Sequence, residues 1–307
     1  MLERSDMLLD HLRRLAAAYP DDAIVRAELA LGLMFAHYYA KQEGTLGSRH
    51  ALLDELRQLR AAYWDDADVR MQLANVLICA HSYAKEEGER ERREILLDEL
   101  RQLAAAHPED AHIGERLAWC LSIGLEHAKE EGSLELIDIL LDELRQVGVG
   151  FPGNAAVHGR VARGLLTLLS AIEEGTLERS STPLDELRQL AAASPGDEAI
   201  RQWLAWGLCI THYHAIQKEA LERQDTLLGE LRQLGATYPG DAAVRGQLAK
   251  ALFHTLEHVK EEEGQFERRD VLLDELRQLA VAHPDDEAVC QLLTKSGPLP
   301  ENLGSEG

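Results

Sequence analysis

Aromatic side chains are scarce in this chain of 307 residues: Phe, Trp and Tyr make up 5% of it, although 45% is hydrophobic. A core with so few rings has to be built from Leu, Ala and Val at close helix contacts. Basic residues are also short, 32 Lys and Arg against 54 Asp and Glu, for a formal net charge of −22. That balance argues against nucleic acid as a partner, where a basic stripe is the usual footprint, and against an anionic membrane surface. The acid recurs in PDD, KEEG and LLDEL instead of forming a tail, and reads as solvated helix ends. Cysteine is limited to Cys79, Cys120, Cys209 and Cys290, with no CxxC. The opening MLERSDMLLD lacks a secretory h-region, so reduced thiols in the cytoplasm are expected. No apolar run approaches the ~18 residues of a membrane span. The expectation is a soluble, cytoplasmic protein.

What the chain has in abundance is repetition. LLDELRQL occurs at Leu52, Leu96 and Leu272, with close copies at Leu8, Leu140, Pro183 and Leu227, at spacings of 43 to 45 residues. A steady period of this size marks a stacked array. Each period reads as two helices. EGERERREILLDELRQLAAAHPED carries Ile95, Leu96, Leu100 and Leu103 at helical spacing and ends before Pro108. DAHIGERLAWCLSIGLEHAKEEG places Ile113, Leu117 and Leu121 on one stripe and stops at Gly132. Pro cannot continue a helix interior, and the Asp beyond it can cap the next helix. The Gly after KEE supplies the left-handed residue that closes a helix. Neither helix can bury its stripe alone, so neighbouring units must stack, and the octapeptide is the packing face that recurs in each.

The segments AAAHPEDAHIGERLAWCL, AAASPGDEAIRQWLAWGL and GATYPGDAAVRGQLAKAL resemble the helix junction of tetratricopeptide repeats. Leu29-Ala30 with Leu33, Leu73-Ala74 with Leu77, Leu204-Ala205 with Leu208 and Leu248-Ala249 with Leu252 fit that family's close-packing spacing. The resemblance implies an all-α, right-handed superhelical solenoid of antiparallel helix hairpins whose concave face binds ligands. The period departs from the family's ~34 residues. Whole extra turns, about two on the first helix and one on the second, would account for it at ~3.6 residues per turn. HEAT-like repeats, at ~40–47 residues, are the alternative fold.

The organisation expected is one solenoid over residues 1–295, of about six 44-residue repeats with terminal half-units, followed by a disordered Pro/Gly-rich tail at 296–307. The stretch 148–183 is irregular: it holds Gly148, Gly150, Gly153, Gly159 and Gly164, and Pro183 replaces a template Leu. A softer joint is expected there, with Thr182 capping a shortened helix that begins at Pro183.

Catalysis has little to stand on. His254, Glu257 and His258 fit the zinc-binding H-x-x-E-H spacing, but Glu257-His258 is a template position matched by Glu126-His127. His212 and His214 lie on different sides of a helix, while His37, His81 and His212 share one slot and could form a ladder of imidazoles. No strand-borne phosphate loop and no nucleophile triad is visible. No enzyme activity, cofactor or metal is expected.

Comparison of the repeats with one another is more informative. On the helix after each Pro-Asp junction, packing slots hold Leu, Ala or Val, whereas other slots vary widely. One slot reads Leu31, Asn75, Trp119, Arg163, Trp206, Lys250, and the slot four residues earlier reads Ala27, Met71, Glu115, Gly159, Gln202, Gly246. Two more read Met34, Ile78, Ser122, Leu166, Cys209, Phe253 and Phe35, Cys79, Ile123, Thr167, Ile210, His254. These offsets share one helical face. Large aromatics dominate binding hot spots, which makes Trp119 and Trp206 the natural anchors. The expected function is a protein-interaction scaffold or sensor that holds a peptide or protein segment on this face. The alternative is a self-assembling module, a homo-oligomer.

Overall fold

The structure is a computed structural model that describes residues 2–173, 183–259 and 266–296. Among the described residues it contains fourteen α-helices and no strand. They are α1 (Leu2–Ala18), α2 (Ala23–Gln42), α3 (Leu46–Ala62), α4 (Ala67–Glu86), α5 (Arg90–Ala106), α6 (Ala111–Glu130) and α7 (Leu134–Gly150). After them come α8 (Ala155–Glu173), α9 (Pro183–Ala193), α10 (Glu198–Gln217), α11 (Leu221–Thr237), α12 (Ala242–His258), α13 (Phe266–Ala282) and α14 (Glu287–Lys295). Even-numbered helices follow the Pro-Asp junctions, and odd-numbered ones carry the octapeptide.

The punctuation works as its chemistry demands. At Asp22, Asp66, Asp197, Asp241 and Asp286 the side chain accepts from backbone N–H groups in the first turn of the following helix. Gly44, Gly88 and Gly132 take positive φ where the even helices end. The same turn after α10 is made without glycine, by Glu219 at φ 53°.

The chain divides into two compact units, Met1–His127 with Ile139–Arg160, and Ala128–Asp138 with Val161–Gly307. In the first, α2 packs on α1, α3 and α4, and α4 packs on α5. In the second, α10 packs on α9, α11 and α12, and α12 packs on α13 and α14. Neighbouring helices are paired throughout these sets, an arrangement compatible with a helical repeat. Both cores are aliphatic: Leu33, Leu56, Leu77, Leu100 and Leu121 are fully buried in the first, Leu187, Leu231 and Leu252 in the second. The slot predicted to hold a small residue is closed to solvent at Ala30, Ala74, Ala118, Ala205 and Ala249, where a longer side chain would overpack the contact.

The octapeptide does more than pack. Its Arg reaches forward to the Glu of the next copy with both Nε and Nη2: Arg13 to Glu55, Arg57 to Glu99, Arg101 to Glu143, Arg188 to Glu230 and Arg232 to Glu275. The Nη2–Oε distances run from 2.5 Å at Arg101 to 2.8 Å at Arg188. In four of these the same Arg also holds the Asp three residues before it, as Arg57 holds Asp54 at 2.7 Å. The acid of LLDEL is therefore paired with arginine, the Glu partly covered and the Asp still open to solvent.

A second series joins the even helices. Arg26 donates to Asp66, Arg70 to Asp110, Arg201 to Asp241 and Arg245 to Asp286, in each case to the Oδ2 of an Asp whose Oδ1 caps a helix. Arg26 and Arg201 also lie over Tyr63 and Tyr238, 4.5 and 4.1 Å from the ring centroids. At the third repeat all three partners change together. Gly114 stands in the Arg slot, Phe151 in the ring slot and Asn154 in the Asp slot. A Cβ at Gly114 would meet the Phe151 ring at 2.2 Å, so the phenyl occupies the space the arginine would need.

Within the glycine-rich stretch, Gly148 and Gly150 belong to α7, Gly159 and Gly164 to α8, and Gly153 turns at φ 84°. Helix α9 begins at Pro183 and has 11 residues against 17 in α11. The cap expected from Thr182 and the tail beyond Ser296 lie outside the described residues.

Candidate interaction surface

Most of the varied slots on the even helices are left partly or well exposed. In the first unit, Leu31 on α2, Asn75 on α4 and Trp119 on α6 are partly or well exposed, and so are Met71, Glu115, Phe35, Cys79 and Ile123. In the second, Arg163 on α8, Trp206 on α10 and Lys250 on α12 hold the equivalent slot, beside half-buried Phe253 and Ile210. The other slot splits off, because Ile78, Ser122, Leu166 and Cys209 are buried and belong to the helix contacts. Ser122 is satisfied there by donating to the Trp119 carbonyl at 2.8 Å. A ligand on this face would meet Met71, Asn75, Glu115 and Trp119 in the first unit, and Arg163, Trp206, Lys250 and Phe253 in the second.

Both tryptophans are open although their neighbours are core, Trp119 at 37% and Trp206 at 45% exposure. The side chains around them were not evident from the slots. Arg116 and Arg160 lie over the Trp119 indole at 5.6 and 4.7 Å, and Glu115 accepts from Asn154 Nδ2 at 3.0 Å. Trp203 stacks on Trp206 with centroids 5.6 Å apart and planes 11° from parallel, while Tyr213 meets the edge of His254 at 5.0 Å. The signal for Trp203 and Arg116 was their position three residues before a named Trp, on the same helical face.

The shared histidine slot is interior. His37, His81 and His212 are buried; His37 stacks on Tyr83 at 6.0 Å and His81 on His127 at 6.1 Å, with planes 18° and 9° apart. His212 Nε2 lies 3.3 Å from the Thr255 hydroxyl. Loss of hydration, aided by nearby cations such as Arg49 for His37 and Arg93 for His81, lowers all three to about 4. They are neutral packing groups at ordinary pH. Burial likewise pushes the Cys120 and Cys209 thiols up to about 12 and about 11, which leaves little thiolate.

In the H-x-x-E-H string, His258 Nδ1 lies 2.9 Å from the His254 carbonyl and its Nε2 3.1 Å from Gln217 Nε2. Among the described residues no group of three His, Cys, Asp or Glu is gathered to hold a metal ion. A cavity of about 740 Å³ opens elsewhere in the second unit, at the start of α9, between Leu169, Pro183, Leu184 and Leu227. Its buried carboxylate, Glu173, is already held by Lys218 and Arg223 at 3.1 Å each. No helix among the described residues is long and apolar enough to cross a membrane. No protein-family model matches this chain, and no curated protein matches it in sequence.

Proposed function

We propose that the chain is a non-catalytic interaction module that binds a peptide or protein segment on the outward face of its even helices. It would be a cytoplasmic protein built as a tetratricopeptide-like solenoid of extended repeats. The observation that carries the reading is the exposure of Trp119 and Trp206, one on each unit, in a slot that repetition holds free of packing duty. Exposing an indole forgoes roughly 2 kcal/mol of burial, and a bound segment would recover it. An extended strand or a short helix laid across the helices would both suit such a face.

The test is capture from source-cell lysate by the intact chain and by a Trp119→Ala/Trp206→Ala pair whose helicity and mass are unchanged. A partner should be retained by the intact chain and weakened at least tenfold in the pair; equal capture by both would sink the reading.

Self-assembly is the second reading, and Leu8 favours it. Its equivalents Leu52, Leu96, Leu140, Leu227 and Leu272 are buried, whereas Leu8 is 61% exposed on α1. A second copy could cover it. Mass that rises with concentration, and is restored to monomer by Leu8→Glu, would favour this reading over the first.

A further inference from the structure

We infer that the open edge of α13 and α14 docks an amphipathic helix of another protein, one that carries a glutamate just beyond a pair of leucines as LLDEL does. This edge is separate from the tryptophan face, and its test stands apart from that of the reading above. The octapeptide itself shows what such an edge receives. In five copies its arginine holds the glutamate of the copy that follows, with both Nε and Nη2. No octapeptide follows the copy at Leu272. Its Arg277 keeps the near half of the arrangement, with Nη1 on Asp274 at 2.9 Å, as Arg57 holds Asp54. The Arg277 Nε is buried without an acceptor. A buried charged donor left unanswered is costly, and one carboxylate would take both Nε and Nη2.

The apolar part of the edge is open as well. Leu53, Leu97, Leu141 and Leu228, the second leucine of their copies, are buried, whereas Leu273 is half-buried. On the even helices Leu73, Leu117, Leu204 and Leu248 are buried, whereas their equivalent Leu293 is half-buried. Helix α14 has 9 residues against 20 in α10, and a cavity of about 320 Å³ opens beside it, lined in part by Phe253, Leu256, Leu273 and Lys295. A second copy is a poor occupant. Stacked end to end, it would present LLDHLRRL, where His11 stands in the glutamate slot. Glu55, Glu99, Glu143, Glu230 and Glu275 are already taken by arginines of their own chain. A foreign helix that brings its own carboxylate and leucines answers both halves of the edge.

The experiment is fluorescence anisotropy with a labelled peptide of residues 90–106, the α5 sequence, titrated with the intact chain and with Arg277→Glu. The variant is first checked by circular dichroism and for unchanged mass. The peptide carries four arginines and four acids, so bulk charge does not favour its binding. The intact chain should bind it, and Arg277→Glu should weaken binding tenfold or more. A Glu99→Arg peptide should recover affinity on that variant alone. No binding, or binding indifferent to Arg277, would overturn the proposal. Binding seen only after residues 297–307 are removed would make that tail the occupant instead. Self-association of the intact chain that Arg277→Glu abolishes would give the edge to a second copy. None of these outcomes bears on the Trp119 and Trp206 reading, which its own variants test.

Discussion

Glu219 is the residue at which local conformation and side chain disagree. Its counterparts Gly44, Gly88 and Gly132 adopt positive φ without steric cost, whereas an L side chain in that region is strained by roughly 1–2 kcal/mol. Glycine would lose more backbone entropy on folding, so part of that gain is returned. Glu219→Gly should therefore raise stability by about 0.5–1 kcal/mol, read as a higher urea midpoint at unchanged slope. A lower midpoint would show that the Glu219 side chain contributes a contact outweighing its strain. At this scale the sequence is uneven. Trp119 and Trp206 stood out because one slot could be compared across repeats, and their exposure follows from that slot having no packing duty. Trp203, Arg116 and Arg160 did not, because a ring stack and a cation over a ring depend on rotamers, which no spacing states. Ile78 and Cys209 share a helical face with the tryptophans, but a helix packed on two sides has only a narrow open stripe, and three residues round from the tryptophan slot lies under its edge.

Among the elements, the junctions were legible because their chemistry is local. Pro ends a helix, Asp caps the next, and Gly reverses the chain, each within four residues. The ion pairs were not, although the same octapeptide contains both partners. Arg57 and Glu99 meet only because adjacent odd helices lie side by side in register, which is tertiary information. The exchange at Gly114 yields a direct test. Gly114→Ala gains up to about 1 kcal/mol of helix propensity but drives a methyl into the Phe151 ring, and overpacking typically costs ~1–3 kcal/mol. A net loss of about 1–2 kcal/mol is expected in urea unfolding. The quadruple variant Gly114→Arg, Glu115→Ala, Phe151→Tyr, Asn154→Asp restores the partners found at Arg26, Tyr63 and Asp66, with alanine as at Ala27 so that no carboxylate faces the new aspartate, and should recover that loss or exceed it. A quadruple variant less stable than Gly114→Ala would mean the Gly–Phe packing is not interchangeable with the arginine arrangement.

For the molecule as a whole, acid is the natural stress. His37, His81 and His212 have folded values of about 4 against an unfolded value near 6.5. The unfolded chain then binds more protons between those limits, so their contribution is fully present above pH ~6.5 and is lost as pH falls towards ~4. Asp110 adds a later loss: burial alone would raise it, but the hydrogen bond from Arg70 and the cap amides hold it below the usual carboxylate range. Tm should be level near neutrality and fall steeply below pH ~6.5. In His81→Phe the fall over that interval should be shallower than in the intact chain; an identical slope would mean that His81 titrates as freely folded as unfolded.

The arginine-to-glutamate pairing has a consequence for how such a chain can change in length. From the second copy on, an octapeptide carries one donor for the copy ahead and one acceptor for the copy behind, so repeats are specified towards their neighbours by nearly the same eight letters. Excising residues 46–89, one full period, would join Gly44-Thr45 to Arg90 and bring Arg13 opposite Glu99 in place of Glu55, with no partner left over in this series. Duplicating the same block would be equally free of loose ends. The repeat that carries Gly114 is the exception, since it must be followed by Phe151 and Asn154. The first repeats can be dealt in or out like identical cards, while the one holding Gly114 keeps its place in the order.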